Sequence, residues 1–309
     1  MGTPEFALPC LEALVKSKHK PLGVVSVPPK PAGRGQKVKS SPVEARAREL
    51  GLGVQTPERL KDPSFLDWFR SLNPDVAAVV AFRYLPREVF ALPKRGSVNL
   101  HASLLPKYRG AAPINWAIYN GEQKTGVTTF LLDDRLDTGA ILAQRECLIG
   151  PDETAGELAE KLSNLGADLL LETLDGLEAG TLMLIPQSES GVTLAPKLKK
   201  EDGFILWERT ASQVHNQIRA FSPLPGAWSK LGKEVVKIYR TRVLPSNAGN
   251  AAAPGTWLCF DDRAGLSVYC GEGAIELLEL SLEGRKKLTG PEFARGQKRL
   301  ADKTFELKI

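Results

Sequence analysis

Val76-Ala77-Ala78-Val79-Val80-Ala81-Phe82 decides the fold class of this chain. Seven apolar residues in a row, without alternation, make a segment of strand length. A strand that is apolar on both faces belongs in a parallel sheet covered by helices on both sides. Upstream, Pro63 to Leu72 and Val43 to Leu50 read as helices, and Leu22-Gly23-Val24-Val25-Ser26-Val27 reads as another buried strand. Helices and strands therefore alternate in α/β order. Ahead of them, Phe6, Leu8, Leu11 and Leu14 recur at helical spacing, with Thr3 expected as N-cap and Pro4 at the first helical position. A strand is expected before this helix, yet Met1 stands directly before Gly2. Phe82-Arg83-Tyr84-Leu85-Pro86 follows the apolar run at the C-terminal end of a strand, where open α/β sheets place ligands.

Further along, Val98 to Gly139 carries one of the three histidines in a setting suited to chemistry. Asn99 and His101 are two residues apart in a strand-like run, so their side chains leave the same face. Asp137 lies in the turn Leu136-Asp137-Thr138-Gly139 between two more strand-like runs, where its carboxylate can meet the imidazole at the end of a sheet. An acyl group moving to an amine passes through a tetrahedral intermediate with a negative oxygen. An Asn99 N–H can stabilise that oxygen, His101 can shuttle the amine proton, and Asp137 can orient and charge-stabilise the imidazole. The substrate amine is then the nucleophile, and no serine or cysteine is needed. The same residues also have plain structural readings: a satisfied strand-end histidine, a turn-capping asparagine, and an aspartate bound to the amides of its own turn.

After this stretch, Glu153 to Ala179 is an amphipathic helix with Leu158, Leu162, Leu165 and Leu169 on one side and Gly180 as terminator. Residues 182–196 lose that periodicity and collect Pro186, Ser188, Ser190, Gly191 and Pro196, which reads as a linker. From Lys197 the pattern changes to a helix at Ala211–Phe221 and short strands at Val235–Tyr239, Gly255–Phe260, Leu266–Cys270 and Ala274–Leu280. Short strands with Gly, Pro and Asp turns favour a small barrel of the OB type.

A chain of 309 residues has room for two domains, and 42% hydrophobic with 25% charged residues excludes disordered and fibrous classes. No apolar run reaches membrane-spanning length and no signal-peptide pattern opens the chain, so a cytoplasmic protein without a membrane partner is expected. Cys10, Cys147, Cys259 and Cys270 show no CxxC spacing, which argues against zinc and against a disulfide framework. The net charge of +5 is unevenly spread: residues 197–309 hold 19 Lys+Arg against 13 Asp+Glu. That excess suits a polyanionic partner or a solvated basic surface. The loop Pro28–Pro42 has four basic residues and no acid, which reads either as an arm for phosphates or as a surface excursion.

Asn99-x-His101-x-Ser103-Leu104-Leu105-Pro106, Tyr108-Arg109-Gly110-Ala111-Ala112-Pro113, Thr125-Gly126-Val127-Thr128 and Leu136-Asp137-Thr138-Gly139 together resemble the 10-formyltetrahydrofolate-dependent formyltransferases. Gly2-Thr3-Pro4-Glu5-Phe6-Ala7, Pro31-Ala32-Gly33-Arg34-Gly35, Arg219-Ala220-Phe221-Ser222-Pro223-Leu224-Pro225 and Gly284-Arg285-Lys286-Lys287 extend the resemblance over nearly the full length. It implies an α/β, Rossmann-like formyltransferase domain over 1–181 with its first strand missing, a linker over 182–196, and an OB-like tRNA-binding domain over 197–309. It implies Asn99, His101 and Asp137 as catalytic residues, and Phe82, Arg83, Tyr84, Leu85, Ser103, Leu104, Leu105 and Pro106 on the folate side. Arg34, Lys37, Lys39, Arg285, Lys286 and Lys287 would meet tRNA. The implied reaction takes 10-formyltetrahydrofolate as co-substrate and initiator methionyl-tRNA as acceptor, for translation initiation, in a monomer with no metal. A nucleotide-linked amino sugar is the alternative acceptor, and a folate- or RNA-binding module without turnover is the alternative class. The sequence departs from the pattern at Pro29, where an Asp is frequent, and in the Ala81–Pro86 loop, which is one residue short.

Overall fold

Within the apolar run 76–82 the strand is shorter than the run, Ala77–Val80, with Val79 and Val80 buried. The computed structural model describes residues 1–32, 37–245 and 252–308. They divide into two units: Met1–Gly110, Thr125–Cys147 and Ala159–Ala195 in the first, and Ala111–Lys124, Leu148–Leu158 and Pro196–Ile309 in the second.

Through residue 195 the strands are β1 (Val24–Val25), β2 (Lys30–Ala32), β3 (Lys37–Lys39), β4 (Val54–Gln55), β5 (Ala77–Val80), β6 (Ser97–His101), β7 (Arg109–Gly110), β8 (Lys124–Leu131), β9 (Ile141–Leu148) and β10 (Leu194–Ala195). The main sheet has the order β5-β6-β8-β9, with β5 and β6 parallel and β8 antiparallel to β6. β1 and β4 form a separate parallel pair. Met1 and Gly2 join the two sheets. The Gly2 N–H donates to the Val25 carbonyl at 3.1 Å, the Val80 N–H donates to the Met1 carbonyl at 2.9 Å, and the Met1 ammonium donates to the Ala78 carbonyl at 2.6 Å. These two residues occupy the place of the strand expected before the first helix. A groove of about 470 Å³ adjoins them, lined by Leu11, Leu14, Val24, Trp68, Leu72 and Ala77 among others.

The first helix starts later than its spacing predicts. Pro4 is the cap residue of a 3-10 turn, Glu5–Ala7, that runs into the α-helix Leu8–Lys16. Thr3 is thus one position too early to cap it, and its hydroxyl is buried without a partner among the described residues. Helix Pro63–Ser71 behaves as its spacing predicts. It buries Phe65 and Phe69 in a cluster with Val25, Val79, Leu85, Val89 and Phe90. Each such aromatic contributes roughly 1.5–3 kcal/mol by leaving water.

The two faces of β6 have different tasks. Leu100 packs against Gly166 in helix Ala155–Ala179, where an added Cβ would lie 2.6 Å from a Leu100 methyl. Asn99 and His101, displaced by one residue, point to the opposite face. Residues 182–195 run along the first unit: Ile185 exchanges backbone hydrogen bonds with Ile141 at 2.8 and 3.0 Å, and β10 pairs in parallel with β7.

The second unit holds helices Pro113–Tyr119 and Ala211–Phe221, the latter started by a capping box between Thr210 and Gln213. Its strands are β11 (Ala227–Leu231), β12 (Glu234–Val243), β13 (Trp257–Asp261), β14 (Gly265–Tyr269), β15 (Ala274–Leu282) and β16 (Leu288–Thr289). They form a six-stranded sheet in the order β11-β12-β15-β14-β13, with β16 on β15. Instead of the closed barrel that the strand spacing suggests, the ladder is open, with no β11–β13 pairing among the described residues. The C-terminal segment spans the gap. The Glu306 N–H donates to the Lys230 carbonyl and the Phe305 N–H to the Gly255 carbonyl, both at 2.9 Å. The Phe305 ring stacks on Trp207 and tilts against Trp257.

Candidate active site

His101, only 6% exposed, ends β6, and its Nε2 lies 2.9 Å from the Tyr108 carbonyl oxygen. A carbonyl can only accept, so Nε2 carries a hydrogen and donates it. In the neutral ring the lone pair is then on Nδ1, which lies 3.9 Å from Oδ2 of Asp137. The carbonyl reaches back because Tyr108 adopts a left-handed φ of 61° and because the preceding loop is held from below. Thr128 Oγ1 donates to the Ser103 carbonyl at 2.6 Å and accepts from the Leu105 N–H at 3.1 Å. Gln144 Nε2 donates to Thr128 Oγ1 and to the Leu105 carbonyl, both at 2.9 Å. The Thr128 hydroxyl therefore uses its one hydrogen and one lone pair on this loop and its other lone pair on Gln144, which itself grips the loop at Leu105.

Asp137 sits in the β8–β9 connection with a φ of 54°, unusual for a residue with a Cβ and costing roughly 1–2 kcal/mol. Its Oδ2 accepts the Gly110 N–H at 2.8 Å, and the residue is 8% exposed. Glycine is required on both sides of that contact. At Gly139 a Cβ would lie 1.6 Å from the Leu131 carbonyl oxygen. At Gly110, with a φ of 129°, it would lie 2.5 Å from that of Ala195. Arg109, buried beside Gly110, donates from Nε and Nη2 to the Gln187 side-chain oxygen at 3.1 and 2.8 Å. Gln187 Nε2 in turn donates to the Asp137 and Gly139 carbonyls, both at 2.9 Å.

An imidazole nitrogen with a free lone pair, facing a buried carboxylate, can take a proton from an attacking amine. The resulting ion pair at 3.9 Å is worth roughly 4 kcal/mol at an effective dielectric of about 20. Asn99, half-buried on the same strand face, can donate an amide N–H to an oxygen gaining negative charge. The structure thus brings His101 and Asp137 together, with Asn99 on the same face of β6 as His101. Tyr108, Arg109, Gly110 and Gln187 contribute contacts that sequence reading does not assign to them. The first three lie inside a quoted motif, but nothing in the polar stretch around Gln187 marks it out.

The other expected site residues have varied settings. Arg83 donates from Nη1 to the Glu58 carbonyl at 2.9 Å and from Nη2 to the Pro57 carbonyl, while its Nε is buried without a partner among the described residues. It lies over the Phe82 ring, and Tyr84 is exposed. Leu85 and Leu105 are buried in separate apolar clusters, Ser103 is fully buried, and Leu104 and Pro106 are half-buried. Arg34 lies outside the described residues, Lys37 begins β3, and Lys39 is exposed at its end. In the second unit Arg285 and Lys286 are exposed after the Gly284 turn and line a recess of about 780 Å³ with Glu234 and Arg299. Lys287 pairs with Glu279 at 2.6 Å and lies over the Tyr239 ring. The four cysteines are free thiols, and burial pushes Cys10 and Cys270 up to about 12. His19, Asp175 and Glu178 cluster at metal-ligand spacing, but the Lys18 ammonium already pairs with both carboxylates, at 3.0 and 2.7 Å. No helix among the described residues is long and apolar enough to cross a membrane.

A family described as formyl transferase matches residues 1–174, and its C-terminal domain matches residues 197–298. A methionyl-tRNA formyltransferase from Geobacter sulfurreducens is 47% identical over 297 residues, covering 96% of this chain and 92% of that protein. Among solved structures, an N-formyltransferase from Helicobacter canadensis in complex with folinic acid and dTDP-3-aminofucose superposes with a TM-score of 0.64 at 23% identity. That match covers 89% of this chain and 96% of the other. HypX from Aquifex aeolicus in complex with tetrahydrofolic acid gives a TM-score of 0.60 at 20% identity over 83% of this chain. The match covers 44% of HypX, so the chain spans under half its length. At such identities both structures show a shared fold.

Proposed function

We propose that this chain, which belongs to the formyl transferase family in both its halves, transfers the formyl group of 10-formyltetrahydrofolate to the α-amine of methionyl initiator tRNA. The observation that carries the reading is the 47% identity to a methionyl-tRNA formyltransferase over nearly the whole chain. The site geometry supplies a mechanism. The methionyl amine attacks the formyl carbon and forms the new C–N bond, while the carbonyl oxygen becomes an oxyanion that accepts a hydrogen bond from Asn99. His101 Nδ1 takes the amine proton, and the Asp137 carboxylate stabilises the imidazolium. Collapse of the intermediate breaks the bond to N10 of the folate, and the imidazolium returns the proton to that nitrogen, releasing tetrahydrofolate. The chemistry so written uses no metal.

Residues 1–181 supply the catalytic domain, 182–196 the connection and 197–309 an OB-like tRNA-binding domain, whose end strands are bridged by Phe305 and Glu306. On the folate side Phe82, Arg83 and Tyr84 offer side chains. Leu85 and Leu105 face the core, so they offer the folate only backbone; Ser103, Leu104 and Pro106 complete that wall. Arg34, Lys37 and Lys39 meet the acceptor end of the tRNA, and Arg285, Lys286 and Lys287 meet its backbone. The enzyme acts as a monomer in the cytoplasm. Incubation with 10-formyltetrahydrofolate and methionyl initiator tRNA, followed by deacylation, should yield N-formylmethionine; its absence would refute the reading.

A further inference from the structure

Gln187 occupies a stretch whose composition reads as a plain connection, yet its amide makes four hydrogen bonds, two as acceptor from Arg109 and two as donor to Asp137 and Gly139. A glutamine side chain offers two donor hydrogens and two acceptor lone pairs, so its capacity is fully used. The bonds close a ring: Gln187 to Arg109, Arg109 along the backbone to Gly110, the Gly110 N–H to the Asp137 carboxylate, and the Asp137 carbonyl back to Gln187. Asp137 is held in a left-handed conformation that its own preferences oppose, so an outside constraint decides where the carboxylate points.

We propose that Gln187 is a positioning residue for formyl transfer, fixing the Asp137 turn against the Arg109-Gly110 strand so that the carboxylate stays beside His101 Nδ1. This rests on the formyl-transfer reading above. Other contacts hold the segment itself in place. The Thr193 carbonyl accepts the Arg109 N–H and its hydroxyl accepts the Tyr108 N–H, both at 2.9 Å, and Ile185 pairs with Ile141. Loss of the Gln187 amide therefore loosens the turn while the chain around it stays docked. Glutamate is the sharpest probe. It keeps the size and both acceptors for Arg109, but it loses both donors and sets a carboxylate against two carbonyl oxygens.

Gln187→Glu and Gln187→Leu would be made in the full chain, alone and combined with Asp137→Asn, with kcat, both KM values and Tm measured on methionyl initiator tRNA. Each single variant should lower kcat by about 10- to 100-fold, the scale of a misplacement near 1 Å, with both KM values within about threefold. In the Asp137→Asn background the same change should cost less than about threefold, because the carboxylate it positions is gone. An unchanged kcat in Gln187→Glu, or an equal loss in both backgrounds, would overturn the role. Should Gln187→Leu fail to fold, the Glu variant decides alone. An unmodified chain that leaves methionyl-tRNA untouched would instead refute the formyl-transfer reading, and the role with it, before any variant is made.

Discussion

Replacing Asp137 by asparagine isolates the charge that faces His101. Asparagine keeps the side-chain volume, its amide oxygen can still accept the Gly110 N–H, and it tolerates the left-handed φ of 54° better than most residues. Only the negative charge is lost. At 3.9 Å, that charge stabilises an imidazolium by roughly 1 kcal/mol if water screens the pair fully and by roughly 4 kcal/mol at an effective dielectric of about 20. Both groups are under a tenth exposed, which favours the higher figure, while the Gly110 N–H neutralises part of the carboxylate. The expected loss in kcat is therefore about 10²- to 10³-fold, at about 1.4 kcal/mol per factor of ten. Steady-state formylation of methionyl-tRNA at saturating donor and acceptor measures it, with both KM values expected to stay near those of the unmodified chain. A kcat within about threefold of the original, or a loss confined to KM, would remove the His101–Asp137 pair from the chemical step.

His101→Ala should lower turnover by about two orders of magnitude or more while tRNA binding, followed by filter retention, barely changes. Gly110→Ala forces a side chain to within 2.5 Å of the Ala195 carbonyl at a left-handed φ, so it should destabilise the β7–β10 pairing by about 2 kcal/mol or more and lower Tm by several degrees in calorimetry. Burial pushes His215 below the usual histidine range, helped by the nearby Arg219 charge and opposed by its hydrogen bond to the Pro151 carbonyl and by the Asp152 charge. The unfolded chain then binds the extra proton more readily. The stability from neutral His215 is fully present above about pH 6.5 and is lost as pH falls through the folded value, and His215→Gln should flatten the decline of Tm below about pH 6.5.

How much of this could be read in advance depended on whether a feature is local. The strand Ala77–Val80 is legible within the run 76–82 because unbroken apolar character needs no partner to be recognised. The common direction of Asn99 and His101 follows from the two-residue period of a strand. The Asp137 turn is announced by Asp-Thr-Gly, and Gly139 proves indispensable for a close approach that no sequence pattern specifies. By contrast, the carbonyl that holds His101 belongs to Tyr108, and any residue type could have supplied it. Gln187 acquires its importance only because residues 182–195 run along β7 and β9. In the second unit, strand Ala227–Leu231 is hidden in the sequence because a Pro-rich turn precedes it and Ser229 and Lys230 break its apolar character. The bridge made by Phe305 and Glu306 depends on two backbone bonds from the far end of the chain.

One side-by-side measurement tests both the chemistry and the acceptor. The unmodified chain is given labelled 10-formyltetrahydrofolate with methionyl initiator tRNA in one reaction and a nucleotide-linked amino sugar in another. Label appearing in N-formylmethionine, with the sugar untouched, is the predicted result. Label entering only the sugar would contradict methionyl-tRNA as the acceptor.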